Sequence, residues 1–214
     1  MYVSHESPIS FLEQSRSYND YDYALVHLFE THPEYYQFFK DSIKLGRQVL
    51  LDNSIFELGE SFDSEKFAKY ANELKPSFYI VPDVLEDGYA TIKSFSEFTA
   101  KHSDLPGLKI GAVQGKTYDE IVDCYKYMSD YADYIAISFD FSYYLVTGRG
   151  RTKLERWCDG RRRLIAQLKS DGIWNKDKPH HLLGCSLAKE FKSYVGDTSI
   201  RSVDTSNPVV AGIK

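Results

Sequence analysis

Five short apolar runs in this chain end on a residue that can carry a proton or a hydrogen bond. Asp52 closes the run in Leu-Leu-Asp-Asn-Ser-Ile-Phe, and Asp83 the run in Val-Pro-Asp-Val. Gln114 follows Ala-Val, Asp140 follows Ser-Phe, and Asp204 closes Ser-Val-Asp before Thr-Ser-Asn-Pro. Taken singly, an Asp in this position serves equally well as a helix N-cap or a turn former. Four carboxylates and an amide in equivalent positions weaken that reading. Converging carboxylates can ligate a hard divalent cation. They can also divide the nucleophile and acid/base roles of a glycosyl transfer. A third use is to accept from the N–H groups of a nucleobase edge, where the amide of Gln114 both donates and accepts. The cation reading expects histidine ligands or a dense acidic motif. His180 and His181 abut one run, but no H-x-H or H-E-x-x-H occurs. Metal chemistry therefore ranks second, no metal ligand is assigned, and these histidines are read as structural or rim residues.

Positioning such residues is the task of the runs themselves. Eight are strand candidates: Met1–His5, Tyr23–Leu28, Gln48–Leu51, Phe78–Val81, Leu108–Val113, Tyr134–Ser138, His181–Cys185 and Ile200–Val203. Each is short and rich in Val, Ile, Leu or Tyr, the pattern of a strand buried on both faces. Helical stretches with start signals lie between them. Asp63-Ser64 leads into Glu65–Leu74 before Pro76, and Thr117, three before Glu120, opens a stretch to Tyr131 with capping-box spacing. Asp159 or Gly160 starts Arg161–Lys169, which stops at Asp171-Gly172. Alternation of this kind means parallel pairing through right-handed crossovers. The 214 residues carry no linker, internal repeat or low-complexity tract, so residues 1–214 are read as one catalytic barrel domain. The fold class is α/β, a reduced (β/α)8 TIM-like barrel near the lower limit of roughly 200 residues for that fold. Eleven residues after Val203 are too few for a full last helix. A doubly wound open sheet is the alternative, without a G-x-G-x-x-G to support its dinucleotide-binding form.

Composition narrows the classes further. Hydrophobic residues at 43%, charged at 27% and aromatic at 15% exclude wholesale disorder. The three cysteines, Cys124, Cys158 and Cys185, are odd in number and lack a C-x-x-C, against a disulfide framework or a Cys-based zinc site. No apolar run approaches about 18 residues and Met1–Ser10 has no signal pattern, so the expectation is a cytoplasmic protein without membrane contact. The 26 Lys and Arg against 31 Asp and Glu give −5 overall. That sum conceals a segregation. Arg149, Arg151, Lys153, Arg156, Arg161, Arg162 and Arg163 against Glu155 and Asp159 make +5, leaving −10 for the rest. With Gly148 and Gly150 loosening the loop, Arg149, Arg151, Arg161, Arg162 and Arg163 are candidates for a phosphodiester backbone beside an acidic pocket. Tyr143 and Tyr144 just before them could stack on a base.

Together these residues resemble the tRNA-guanine transglycosylases, most of all their short phage relatives that insert 7-deazaguanines into DNA. Asp52-Asn53-Ser54-Ile55-Phe56 matches an Asp-x-x-x-Phe motif, Asp83 a base-binding Asp, and Val113-Gln114-Gly115 a Val-Gln-Gly segment. His181-Leu182-Leu183-Gly184 matches a His-x-Leu-x-Gly strand, and Asp204, four before Pro208, a nucleophilic Asp. The order holds from about Gln48 to Pro208. The family's Cys-rich zinc subdomain has no counterpart, which favours DNA over tRNA.

The resemblance implies a pentosyltransferase that exchanges guanine in DNA for a 7-deazaguanine such as preQ0, with no cofactor. It implies Asp204 as the nucleophile on C1′ and Asp52 as the proton-handling partner. Asp83, Gln114, Gly115, Ser138 and Phe56 would hold the base. If phage-encoded, such an enzyme works in the cytoplasm of the infected host. A tRNA-guanine transglycosylase or a nucleosidase acting on free nucleotides are alternatives within that chemistry. A metal-dependent barrel hydrolase and a non-enzymatic nucleic-acid-binding module are alternatives of other classes.

Overall fold

The computed structural model describes residues 1–213. Eight strands, β1 (Tyr2–His5), β2 (Asp22–Leu25), β3 (Val49–Asp52), β4 (Phe78–Ile80), β5 (Leu108–Val113), β6 (Tyr134–Ile137), β7 (His180–Leu182) and β8 (Ile200–Thr205), form one sheet. Every adjacent pair is parallel, in the order β1-β8-β7-β6-β5-β4-β3-β2. The two ends of that order, β1 and β2, face each other across a seam, so the sheet is a nearly closed (β/α)8 barrel. All eight runs read from the sequence become strands, with shifted ends: β2 starts one residue earlier, β7 begins at His180, and β8 runs on to Thr205.

The helices are α1 (Leu12–Arg16), α2 (Leu28–Thr31), α3 (Pro33–Lys44), α4 (Ile55–Leu58), α5 (Ser64–Leu74), α6 (Gly88–Lys101), α7 (Tyr118–Tyr131), α8 (Ser142–Thr147), α9 (Lys153–Ser170) and α10 (Asn207–Ile213). Asp63, Asp87 and Thr117 cap α5, α6 and α7 by accepting from the backbone three residues on. Among the described residues the last strand is followed by α10, about two turns long. Among the described residues no helix is long and apolar enough to cross a membrane.

Two features depart from the sequence reading. The expected helix over 161–169 is the C-terminal half of α9, whose start is fixed by a full capping box between Thr152 and Glu155. Gly160 therefore lies inside a helix. A Cβ there would stand 2.4 Å from that of Tyr144, so glycine is what lets α8 and α9 touch. Gly148 and Gly150 do not loosen their loop either. A Cβ on Gly148 would meet the Arg156 carbonyl oxygen at 1.9 Å, and one on Gly150 the Glu155 Cβ at 2.5 Å. Both glycines are present because the loop is pressed onto the first turns of α9.

Strand alternation sorts the core into two layers. Val49, Leu51, Val113, Ile135, Ile137 and Val203 point outward into the helices and are fully buried. Leu50, Ile80, Ile110, Ala112 and Ala136 point inward with Tyr21 and Tyr23. The inner layer is small and part polar, because β1, β7 and β8 contribute Ser4, His181, Ser202 and Asp204. That composition leaves the upper end of the barrel open to solvent instead of filled with aliphatic side chains.

Candidate active site

At the C-terminal ends of the strands lies a cavity of about 290 Å³, at the rim where barrels of this kind carry their chemistry. Its acidic lining is Glu6, Asp52, Glu57, Asp83, Asp140 and Asp204, and among the described residues no Lys, Arg or His side chain lines it. Four of these carboxylates are the strand-end residues expected from the sequence; Glu6 and Glu57 are additions. Glu6 directly follows β1, so the rule that finds the others applies to it as well.

Asp204 is the most elaborately held. One oxygen takes a 3.0 Å hydrogen bond from His181 Nε2, and the Gly184 N–H donates to both oxygens at 3.1 and 3.0 Å. His181 is fixed in turn by Ser202 Oγ, 2.8 Å from its Nδ1. With a hydrogen on Nε2, Nδ1 accepts from that hydroxyl. Burial would push Asp204 up, but the contact with His181 and the Gly184 amide outweighs it and keeps the carboxyl below its ordinary value. Glu6 lies against it and moves the other way: burial first, then the Asp204 charge, raises it well above the usual carboxylate range. Like charges this close cannot both ionise, so the pair shares one proton.

Asp52, at the end of β3, is shaped by its loop. Its oxygens accept from Tyr23 Oη at 2.6 Å and from the Ser54 N–H at 2.5 Å. Burial dominates these bonds and raises its pKa to about 8. Asp83 is deeper in a rigid amide clamp, accepting from Asn53 Nδ2 at 2.7 Å and Gln114 Nε2 at 2.6 Å. Burial raises it, opposed by those two bonds. The carbonyl oxygen of Gln114 is also engaged, by the Glu86 N–H at 2.9 Å. Gln114 is thus committed mainly to holding Asp83 and the following loop.

Beneath the rim sits a second, fully buried pair. Arg161 reaches in from α9 and forks onto Glu190, Nε at 2.7 Å and Nη2 at 3.0 Å. Its remaining hydrogens go to the carbonyls of Leu183 at 2.9 Å, Gly184 at 2.8 Å and, more weakly, Ile137 at 3.4 Å. The first two carbonyls belong to the turn whose amide holds Asp204. Arg161 is consequently structural and wholly inaccessible, and the expectation that it meets a nucleic-acid backbone is corrected by its burial.

The other expected residues divide. Ser138 and Phe56 line the cavity, Phe56 as a 67% exposed rim side chain. Gly115 does not line it; with φ of 151° it packs on the first turn of α7. Arg149, Arg151 and Arg162 line a different, open cleft, and Arg163 pairs with Asp159 at 2.6 Å. Tyr144 is fully buried with its hydroxyl on the Ser138 carbonyl, so it cannot stack on a base. His180 and His181 face opposite ways: His180 stacks 3.7 Å from Trp174 in the outer layer, while His181 points inward and meets Asp204 from behind the cavity lining. The three cysteines are free and buried. Among the described residues no group of three or more His, Cys, Asp or Glu side chains is arranged to hold a metal ion.

No family model matches the sequence, and neither does any curated protein. Solved structures do match in fold. A 2,3-dimethylmalate lyase, described as a member of the PEP mutase/isocitrate lyase superfamily, aligns in its triclinic form with a TM-score of 0.52 and 13% identity, over 100% of this chain and 79% of that one. An oxaloacetate acetylhydrolase in complex with 3,3-difluorooxalacetate aligns with 0.54 and 10% identity, over 100% and 77%. At such identities the likeness shows the barrel alone. These findings overturn the resemblance to the tRNA-guanine transglycosylases. They overturn with it the exchange of guanine for 7-deazaguanine in DNA, because the matched structures are lyase-superfamily and acetylhydrolase barrels.

Proposed function

We propose that this chain is an enzyme that cleaves a bond in a small molecule by carboxylate acid–base chemistry in the barrel mouth. One observation carries the reading: Asp204 and Asp52 line one cavity, yet their surroundings drive them in opposite directions. Titratable groups pushed apart in this way are how one site keeps a base and an acid at the same pH. At neutral pH Asp204 is ionised and able to take a proton or attack, whereas Asp52, at about 8, is largely protonated and able to give one. Glu6 retains its proton against Asp204 and tunes the basicity of that oxygen. His181 and the Gly184 amide aim the carboxylate; Tyr23 aims Asp52.

The lining also bears on the substrate. Malate- and oxaloacetate-type acids, named for the matched structures, are dianions at neutral pH. Among the described residues six carboxyl groups line the cavity without a Lys or Arg, and the neighbouring His181 is taken up between Asp204 and Ser202, which gives a dianion no free cationic side chain to lie against. The reacting part of the substrate is therefore uncharged or cationic and rich in hydrogen-bond donors, and at about 290 Å³ it is small.

The test is a screen of small uncharged and amine-bearing compounds in D2O, read by NMR for deuterium incorporation or bond cleavage. Turnover by the wild-type chain should fall at least about 100-fold in Asp204→Asn and in Asp52→Asn, the range that loss of an acid–base group costs. Turnover that survives Asp204→Asn, or that is confined to dicarboxylates, would overturn the reading.

A further inference from the structure

Beside the acidic cavity lies an open cleft of about 580 Å³ with the opposite character, lined by Arg149, Arg151, Arg162 and Lys189 together with Glu155 and Asp159. Its two acids have commitments of their own. Glu155 accepts from the Arg151 and Thr152 amides as part of the α9 capping box, and from Lys189 at 3.2 Å. Asp159 accepts from the Arg149 amide at 2.8 Å and from Arg163 at 2.6 Å. The guanidinium groups of Arg149 and Arg151 have no carboxylate partner among the described residues. The loop that carries them is held in place. Gly148 donates to the Tyr144 carbonyl at 2.7 Å, and neither Gly148 nor Gly150 has room for a Cβ. The backbone of two planar, five-donor cations is thus held just before an 18-residue helix, with their exposed side chains free to turn to a ligand, and the helix dipole adds positive potential there.

The cleft and the cavity are linked through α9 and the stretch after β7. Arg161 of α9 holds the carbonyls of Leu183 and Gly184, which line the cavity, and its neighbour Arg162 lines the cleft. Likewise Cys185 and Ser186 line the cavity and Lys189, three residues on, lines the cleft. Lys189 follows the seventh strand, whose connection is a frequent phosphate-holding place in barrels of this fold, while Arg149, Arg151 and Arg162 follow the sixth. The geometry points to a phosphate-binding cleft that anchors the phosphorylated end of a ligand whose uncharged or cationic end enters the acidic cavity. Guanidinium forks match phosphate oxygens two at a time, which supplies orientation as well as affinity. That the ligand is shared with the cavity rests on the functional reading above; the affinity of the cleft for phosphate does not.

Inorganic phosphate titrated into the full chain, followed by backbone amide shifts over 148–155, should show saturable binding that weakens with added salt. Arg149→Glu/Arg151→Glu, with Arg149→Gln/Arg151→Gln as the milder form, should weaken it at least about tenfold while leaving the melting temperature near wild type. Asp204→Asn should leave phosphate binding unchanged, so failure of the cavity chemistry and failure of the cleft are read separately. A short single-stranded oligonucleotide serves as a second probe: binding at least about tenfold tighter than phosphate assigns the cleft to a phosphodiester chain, and weaker binding assigns it to a monoester. Absence of saturable phosphate binding, or equal binding by both double variants, would overturn the proposal.

Discussion

A carboxyl whose pKa is raised on folding is a stability cost at neutral pH, and Asp52 is the case to measure. Unfolded, an Asp ionises near 3.9; folded, burial holds Asp52 protonated to about 8. Below both values the proton is present in either state and nothing is lost. Between them the unfolded chain binds fewer protons than the folded one, so stability declines as pH rises from about 4 to about 8. Asp52→Asn removes that dependence. Thermal melting should show the variant gaining stability over wild type at pH 8, on the order of a few kcal/mol, with little difference at pH 4. Equal gains at both pH values would contradict the burial argument. Asp204 has the opposite sign: its carboxyl is held down, so its contribution is present above the unfolded value and is lost as pH falls through the folded one. His181→Leu removes the main bond holding it down. Since a hydrogen bond to a charged group is worth about 1.5–3 kcal/mol, the acid limb of any activity profile should move up by about one to two pH units. An unmoved limb would show that His181 does not set the charge of Asp204.

At the scale of elements, α9 does more than cover the barrel. Its inward face places Cys158, Arg161, Leu164, Ile165 and Leu168 at helical spacing against the sheet, and one member of that apolar stripe is charged. Arg161→Met would leave the Glu190 carboxyl buried without its cation, costing about 3–5 kcal/mol in chemical denaturation. Arg161→Met/Glu190→Gln should recover much of that loss, while the Gly184 amide, no longer braced through its turn, should still hold Asp204 less well. A double variant no better than the single would mean that the carbonyls of Leu183 and Gly184, rather than Glu190, are what Arg161 stabilises. This element also shows what a sequence can and cannot disclose. All eight strands are legible because short β-branched and aromatic runs ending in Asp, Gln or Ser are seldom anything but buried strands. The carboxylates at their ends carry through to the rim for the same reason. The burial of Arg161 is not legible, because a charge run gives no sign of which member faces inward; that depends on a helix start four residues before Arg156, at Thr152. Glu6 directly follows the run Met1–His5 and is open to the same rule, but in His5-Glu6-Ser7 it lacks the apolar residue just before it that singles out Asp52, Asp140 and Asp204. The commitment of Gln114 to Glu86 and Asp83 depends on the β5 and β4 loops meeting, which no local pattern encodes.

For the molecule as a whole, the barrel's weak line is the seam between β1 and β2. Every other neighbouring pair is joined by a ladder, but here closure falls to side chains and a single main-chain bond from the Asp20 N–H to the Val3 carbonyl at 2.9 Å. The Asp20 carboxylate accepts from the Val3 N–H at 2.8 Å, and Asn19 Oδ1 accepts from the His5 N–H at 2.8 Å. Arg47 secures this corner from the loop before β3, donating to both Asp22 oxygens at 2.9 and 3.0 Å and to the Asn19 carbonyl at 2.8 Å. Tyr21 ties β8 to the same corner through the Val203 carbonyl at 2.8 Å. The seam matters for function because β1 leads directly into Glu6, and β8 carries Asp204. Because β1 is laddered to β8, opening the seam keeps Glu6 with Asp204 and moves that proton-sharing pair away from Asp52 on β3. Asp20→Ala/Asn19→Ala deprives two strand amides of their acceptors while leaving the core intact, at a cost of about 1 kcal/mol per bond. Exchange of the Val3 and His5 amides should then accelerate about tenfold, since about 1.4 kcal/mol of lost protection corresponds to that factor. Amides in β5, at the far side of the barrel, should be unaffected. Uniform acceleration across all strands would show instead that the seam opens only with global unfolding, and that the Glu6–Asp204 pair leaves Asp52 only when the barrel unfolds.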